Sequence, residues 1–79
     1  MEEDENEELV KLGKRIRQLR KFRKLTQLDL EVISGIDNSD ISRIEHGKNI
    51  AIKSLFKLAS ALGVKSKDFF DYDGDLPLD

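Results

Sequence analysis

Two short helical segments, separated by only three residues, constrain the fold more than any other feature of the sequence. The first follows Thr26, a favoured N-cap residue, and Asp29 stands three positions later, as in a capping box. Gly35 supplies the positive φ of a tight helix exit, and Asp37 is placed to cap the second segment. Three intervening residues leave room only for a sharp corner between the two helices.

Three further helical segments surround this pair, and no strand is predicted. Apolar residues at helical spacing predict one helix over about 7–23 and another over about 52–62. A short fifth helix, expected to be capped by Ser66, carries Phe69 and Phe70. The predicted fold is therefore all-α, a compact five-helix domain in which helices 2 and 3 form a helix-turn-helix.

Charge is divided unevenly along the chain, although the net charge is only −2. Residues 1–8 hold six acids, and residues 68–79 hold five. All fourteen Lys and Arg lie between residues 9 and 67 against five acids there, which gives this central part a net charge of +9. A basic centre indicates a nucleic-acid partner, and a solvated surface between solubilising tails explains the charge equally well.

The same numbers limit the domain organisation and the class of protein. We expect an acidic disordered tail over residues 1–6, one domain over 7–72 and an acidic tail over 73–79. The chain has no Cys and a single His, so neither a disulfide nor a metal site is expected. No nucleophile–base pair or phosphate-cradling Gly loop is present, so no enzyme and no cofactor is expected. No membrane span or secretory signal is predicted, which indicates a cytoplasmic protein.

Four short segments together resemble the Cro/repressor-type (XRE) family of helix-turn-helix regulators. They are Leu25–Gln27, Gly35–Asp37, Ile41–Lys48 and Leu58–Val64. The resemblance spans about residues 9–70 and is most specific over Ile41–Lys48. It implies a lambda-repressor-like DNA-binding domain in a transcriptional regulator. We expect a repressor that binds a palindromic operator in double-stranded DNA as a homodimer.

The resemblance implies that the second helix of the pair enters the major groove with its first residues on base edges. Asn side chains can bond bidentately to adenine, and Arg side chains to guanine. Asn38 and Ser39 are also residue types that favour the first turn of any helix, and Arg43 alternatively holds a phosphate. The base-reading candidates are Asn38, Ser39, Ser42 and Arg43.

Phosphate contacts are expected at both ends of the helix pair. Gln27 stands where the family places a phosphate-contacting Gln, and the N-terminus of a helix attracts anions. The phosphate-binding candidates are Gln27, Lys48, Asn49, Arg23 and Lys24. Arg20 and Glu45 match family positions that pair with each other, which predicts a structural ion pair; Arg20 as one more phosphate ligand is the alternative.

Several positions depart from the family's pattern. Glu31 stands where a small residue is usual, so its carboxylate must reach solvent or find a partner. Asp40 is expected at the groove or its rim, where it disfavours phosphates. Leu28 and Val32 are interpreted as core residues in a shifted packing, or otherwise as a partner surface. Lys24 replaces a Gly that is common at a left-handed helix exit.

Two surfaces are candidates for protein contacts. Near the C-terminus, the expected contributors to a homodimer, with closure of the core as the alternative, are Phe69, Phe70, Tyr72 and Leu76. A second functional class is a protein-binding module, such as an antitoxin, in which the tails or the Leu28 and Val32 side chains contact a toxin. A controller of a restriction–modification system would use the same DNA-binding unit.

Overall fold

The structure, a computed structural model, describes residues 4–76 of the chain. Its elements are α1 (Glu5–Phe22), α2 (Gln27–Ser34), α3 (Asn38–Glu45), α4 (Ile52–Leu62) and a 3₁₀ helix (Ser66–Phe70). These residues form no strand, so the predicted all-α class is confirmed, with a 3₁₀ helix as the fifth element. Within residues 4–76, no helix is long and apolar enough to cross a membrane.

One apolar core is shared by all five helical elements. The largest fully buried side chains are Ile16, Leu19, Leu30, Ile41, Leu58, Leu62 and Phe69. Because Phe69 is fully buried, it closes the core and is not available as a dimer contact. Tyr72 and Leu76 are partly buried against the same core, whereas Phe70 is exposed. Of the four aromatic and apolar residues predicted near a dimer interface, only Phe70 is therefore largely free of the core.

Local side-chain contacts create the corner between α2 and α3. The Thr26 hydroxyl accepts from the Asp29 backbone N at 3.0 Å, and the Asp29 carboxylate accepts from the Thr26 N at 2.9 Å. Gly35 ends α2 with φ of 79°, a left-handed conformation that favours glycine. Asp37 then caps α3 by accepting from the Ser39 N at 2.9 Å. The predicted helix start and stop signals are confirmed at this corner.

Helix α1 begins two residues earlier than its predicted start. The Asp4 carboxylate accepts from the backbone N of Asn6 at 2.9 Å and of Glu7 at 3.4 Å, which makes Asp4 the N-cap. Acids in a first turn also interact favourably with the positive end of the helix. Residues 5 and 6 of the predicted acidic tail therefore belong to α1, and residues 1–3 lie outside the described part of the chain.

A buried arginine holds the C-terminal segment against α1. The Arg15 guanidinium donates to the carbonyl oxygens of Asp68 at 2.9 Å, Gly74 at 3.4 Å and Asp75 at 3.3 Å. Within the predicted acidic tail, Gly74 and Asp75 thus contact α1 through their backbone carbonyls, and residues 77–79 lie outside the described range. The 3₁₀ helix is capped at Lys65, one residue before the predicted Ser66, because the Lys65 N donates to the Asp68 carboxylate at 2.9 Å.

The backbones of α1 and α3 meet at Gly13, which is buried in the middle of α1. A Cβ atom at this position would lie 2.9 Å from the Glu45 carbonyl oxygen and closer still to that of Ile44. Glycine lowers helix stability by about 1 kcal/mol relative to alanine, so its presence inside α1 needs a packing reason. The close approach of the C-terminal turn of α3 supplies that reason.

The close approach predicts that Gly13→Ala destabilises the protein, although alanine is the better helix former. We expect a net loss of about 1–3 kcal/mol, because the rigid backbone of α3 must move away from the added methyl group. Urea unfolding followed by circular dichroism measures the change. Ser60→Ala, at an exposed position of α4, is the control and is expected to leave stability nearly unchanged. A Gly13→Ala variant at least as stable as the wild type would contradict this packing.

Candidate nucleic-acid interface

The four base-reading candidates lie on one face of α3. Asn38 and Ser39 form its first turn, and Ser42 and Arg43 follow at positions four residues later. Residues four apart are neighbours on a helix surface, so the two pairs form adjacent rows. Ser39 and Arg43 are exposed, and Asn38 and Ser42 are half-buried. The structure therefore brings these side chains together on one face that runs from the first to the last turn of α3.

Three of these side chains are bonded to carboxylates. The Ser39 hydroxyl donates to Asp37 at 2.8 Å, and the Asn38 side-chain amide donates to Glu31 at 2.7 Å. The Arg43 guanidinium donates to Asp40 at 2.6 Å, and both side chains of this pair are more than half exposed. Asp40 thus neutralises Arg43 on the protein surface, where solvent screening keeps the pair weak.

The phosphate candidates that follow α3 lie at its C-terminal end. Lys48 and Asn49 are both exposed. The Lys48 backbone N donates to the Arg43 carbonyl at 3.0 Å, and the Asn49 side chain accepts from the Ile50 N at 2.9 Å. The first contact ties the backbone of Lys48 to the last turn of α3, and the second orders the loop that follows.

The other phosphate candidates have different surroundings. The Gln27 side chain donates to Glu45 at 3.1 Å, and its backbone amide stands at the first position of α2. Arg23 donates through Nε to the Leu62 carbonyl at 3.0 Å and so covers the C-terminal end of α4. This contact gives Arg23 a structural role, and its phosphate contact stays a prediction. Lys24 is exposed and adopts φ of 60°, as expected for a residue at a left-handed exit.

A buried ion pair connects α1 to the end of α3. Arg20 donates through Nε to one Glu45 oxygen at 2.7 Å and through Nη2 to the other at 2.9 Å. The exposed fractions of the two side chains are 9% and 1%. The third guanidinium nitrogen donates to the Leu25 carbonyl at 2.7 Å, just before α2. Arg20 is therefore an internal ligand of Glu45, and the alternative of a phosphate contact does not fit this burial.

Helix α2 carries exposed apolar side chains that were predicted to be buried. Leu28 and Val32 are 61% and 83% exposed, so their interpretation as core residues in a shifted packing is wrong. Leu30 is the buried residue of α2, and positions two residues to either side point to the opposite face of a helix. Ile33 of the same helix is also exposed, and no signal in the sequence distinguished it from a core residue.

The described residues offer no alternative site of metal chemistry. No group of three or more His, Cys, Asp or Glu is placed to hold a metal ion within residues 4–76. The single histidine, His46, is exposed after α3, and its Nδ1 lies 2.7 Å from the Ser42 carbonyl. A carbonyl only accepts, so this contact assigns the ring proton to Nδ1.

Comparisons with known proteins agree with this geometry. A family model described as a helix-turn-helix domain matches residues 13–72. An uncharacterised HTH-type transcriptional regulator of Bacillus subtilis is 46% identical over 54 residues, covering 66% of this chain and 39% of that protein. An uncharacterised HTH-type transcriptional regulator of Methanocaldococcus jannaschii is 37% identical over 62 residues, covering 77% of this chain and 94% of that protein.

A solved structure is similar over most of the chain. It is the restriction-modification controller protein C.AhdI from Aeromonas hydrophila, with a TM-score of 0.77 and 38% sequence identity. The similarity covers 78% of this chain and 96% of that chain. By contrast, this chain spans well under half the length of its Bacillus relative.

The buried ion pair predicts that Glu45→Ala lowers the free energy of unfolding by about 3–5 kcal/mol, because the Arg20 charge stays buried without its partner. Asp40→Ala is the matched control, since it removes the acid of an exposed Arg–Asp pair and is expected to cost about 1 kcal/mol or less. Chemical denaturation of both variants measures the difference. Similar losses in the two variants would contradict the structural role of the Arg20–Glu45 pair.

The N-cap of α3 predicts an acid-dependent loss of stability. The hydrogen bond from the Ser39 backbone N holds the pKa of Asp37 below its usual value of 3.8. A carboxyl group with a lowered pKa in the folded state stabilises the fold above its unfolded pKa, and this contribution is lost as the pH falls through the folded pKa. Asp37→Asn keeps an acceptor without a titrating group.

We therefore expect the wild type to lose stability relative to Asp37→Asn as the pH falls below the usual aspartate range, from about pH 4 downward. Thermal unfolding of both proteins across this range measures the effect. A difference between the two melting temperatures that does not change with pH would show that protonation of Asp37 is not coupled to unfolding.

Proposed function

We propose that this chain, which belongs to the XRE-type family of helix-turn-helix transcriptional regulators, is a repressor that binds a palindromic operator in double-stranded DNA as a homodimer. The observation that carries the proposal is the face of α3, where the four base-reading candidates lie together. A buried ion pair at the C-terminal end of α3 holds this helix in place. The family is one of DNA-binding regulators and not of enzymes.

Base reading is assigned to the four polar side chains on this face of α3. Asn38 offers the amide that pairs bidentately with adenine, and Arg43 offers the guanidinium that pairs with guanine once it leaves Asp40. The surface pair with Asp40 is weak, so its exchange for a base contact has a small cost. Ser39 and Ser42 contribute hydroxyl contacts from the same face.

Phosphate binding is assigned to groups at the two ends of the helix pair. The backbone N–H of Gln27 opens α2, and Lys48, Asn49 and Lys24 are exposed polar side chains. Contacts of this kind position the protein on the duplex without reading its sequence. The net charge of +9 over residues 9–67 favours association with the DNA backbone.

A homodimer is supported by the small size of one reading unit. A single recognition helix contacts only a few base pairs, and two-fold symmetry places two such helices about 34 Å apart on one side of the duplex. Ile52 and Phe56, four residues apart on α4, are both more than half exposed, as is Phe70. We propose that these three side chains contribute to the interface between protomers.

A protein-binding role is the second candidate. The exposed Leu28, Val32 and Ile33 of α2 favour it, because apolar residues grouped on one surface mark sites of protein contact. In this alternative the chain is an antitoxin or a similar module whose protein partner covers α2. Control of a restriction–modification system is compatible with the proposed DNA binding, and the similarity to a controller protein supports it.

Selection from a random duplex library tests the proposal. The wild type is expected to enrich a motif with two symmetric half-sites whose centres are about one helical turn apart. Asn38→Ala is expected to lose preference at one position in each half-site, because it removes a base contact. Enrichment of no sequence above background would overturn the DNA-binding proposal and favour the protein-binding candidate.

Lys48→Ala is the matched control in the same selection. It removes an ammonium group that neutralises a phosphate, so it should enrich the wild-type motif with lower affinity. Its log–log dependence of affinity on salt should become shallower by about 0.9 for each phosphate that the variant no longer neutralises. A changed motif in this variant would contradict the assignment of Lys48 to the DNA backbone.

A further inference from the structure

A carboxylate of α2 holds the first base-reading residue of α3. Glu31 is half-buried, and its Oε1 accepts hydrogen bonds of 2.7 Å from both the backbone N and the side-chain Nδ2 of Asn38. The contact crosses the corner between the two helices. We propose that Glu31 is a positioning residue that fixes the orientation of the Asn38 amide and so determines which base Asn38 reads.

The chemistry of the amide explains how one carboxylate can do this. An asparagine amide carries two N–H donors and one carbonyl acceptor, and rotation about its last torsion exchanges their places. A carboxylate accepts hydrogen bonds and does not donate them, so it tolerates only the orientation that turns the NH₂ group toward it. Within residues 4–76, no donor is bonded to the Asn38 Oδ1. One N–H and Oδ1 therefore remain for a ligand.

This remaining pair matches one base edge. In the major groove, adenine presents the N7 acceptor beside the N6 amino donor, and a bidentate contact to it uses one N–H and one carbonyl oxygen. Glu31 already fixes the last torsion of the Asn38 side chain in the free protein. Binding to DNA therefore costs no further loss of freedom at this torsion. Preorganisation of this kind increases the discrimination that a single contact supplies.

The position of Glu31 also has an electrostatic consequence. The N-terminus of a helix attracts phosphate through its free backbone N–H groups. At the start of α3, the Asn38 N donates to Glu31 and the Ser39 N donates to Asp37, so two carboxylates occupy this end. Glu31 therefore opposes phosphate binding at the tip of α3 while it orders the base-reading amide. Its removal should weaken base discrimination without weakening binding to unrelated DNA.

The inference rests on the proposed function, and a set of five proteins tests it: the wild type, Glu31→Ala, Glu31→Gln, Asn38→Ala and the double variant Glu31→Ala/Asn38→Ala. Fluorescence anisotropy gives the affinity of each for the selected duplex, for duplexes changed at single base pairs and for an unrelated duplex. Asn38→Ala is expected to lower discrimination at its own base pair by about tenfold, the order of a bidentate contact.

Glu31→Ala is expected to lower discrimination at the same base pair by about threefold or more, as part of that bidentate contact, and to leave the other base pairs unchanged. Its affinity for unrelated DNA should equal or exceed that of the wild type. In the double variant, the loss of discrimination should equal that of Asn38→Ala alone, because both substitutions act on one base contact. Glu31→Gln keeps an oxygen acceptor and should restore the wild-type preference.

The outcomes separate this inference from the function on which it rests. Wild-type discrimination in Glu31→Ala would overturn the positioning role, as would equal losses at every base pair together with a lower melting temperature. Failure of Glu31→Gln to restore the preference would also overturn it. An Asn38→Ala variant with an unchanged motif would overturn this inference and leave DNA binding intact, whereas a wild type without any preferred sequence would overturn both.

Discussion

The buried pair of Arg20 and Glu45 sets the position of α3, and the candidate interface depends on it. Removing two charges from water is costly, so such a pair is stable only when every hydrogen-bonding group finds a partner. Here the guanidinium contacts both carboxylate oxygens and the Leu25 carbonyl, and Gln27 adds a further donor to Glu45. Among the described residues, no buried side-chain nitrogen or oxygen lacks a hydrogen bond. The pair thus joins α1, the start of α2 and the end of α3 in one rigid network.

The two ends of α3 have different physical roles. Its C-terminal turn is immobilised by Glu45 and by the close approach of Gly13, whose missing side chain lets two backbones touch. Its N-terminal turn is polar, and the carboxylates of Glu31 and Asp37 hold the Asn38 and Ser39 side chains there. A helix fixed at one end and exposed at the other presents a constant arrangement of donors and acceptors. Such rigidity suits the reading of base edges, which depends on the distances between those groups.

Features set by neighbours along the chain could be predicted from the sequence, and those set by distant contacts could not. Thr26 and Asp29 set the start of α2 and Gly35 sets its end through contacts within one turn, so the helix pair and the position of α3 could be predicted from them. The exposure of Leu28 and Val32 depends on which face of α2 meets the core, and eight residues give a weak periodic signal. Glu31 stood out as a departure from the family's pattern, but its partner became visible only in three dimensions.

Arg15 holds the segment over residues 68–76 through that segment's backbone and not through its side chains. The three atoms of this segment that the guanidinium contacts are backbone carbonyl oxygens, at residues 68, 74 and 75. Every amino acid carries the same carbonyl, so these three hydrogen bonds do not depend on the acidic side chains of the segment, whereas Tyr72 and Leu76 attach it through apolar contacts with the core. Neutral residues in place of Asp73 and Asp75 would keep all three backbone acceptors. The negative charge at this end of the domain can therefore change in sequence without the loss of the hydrogen bonds to Arg15.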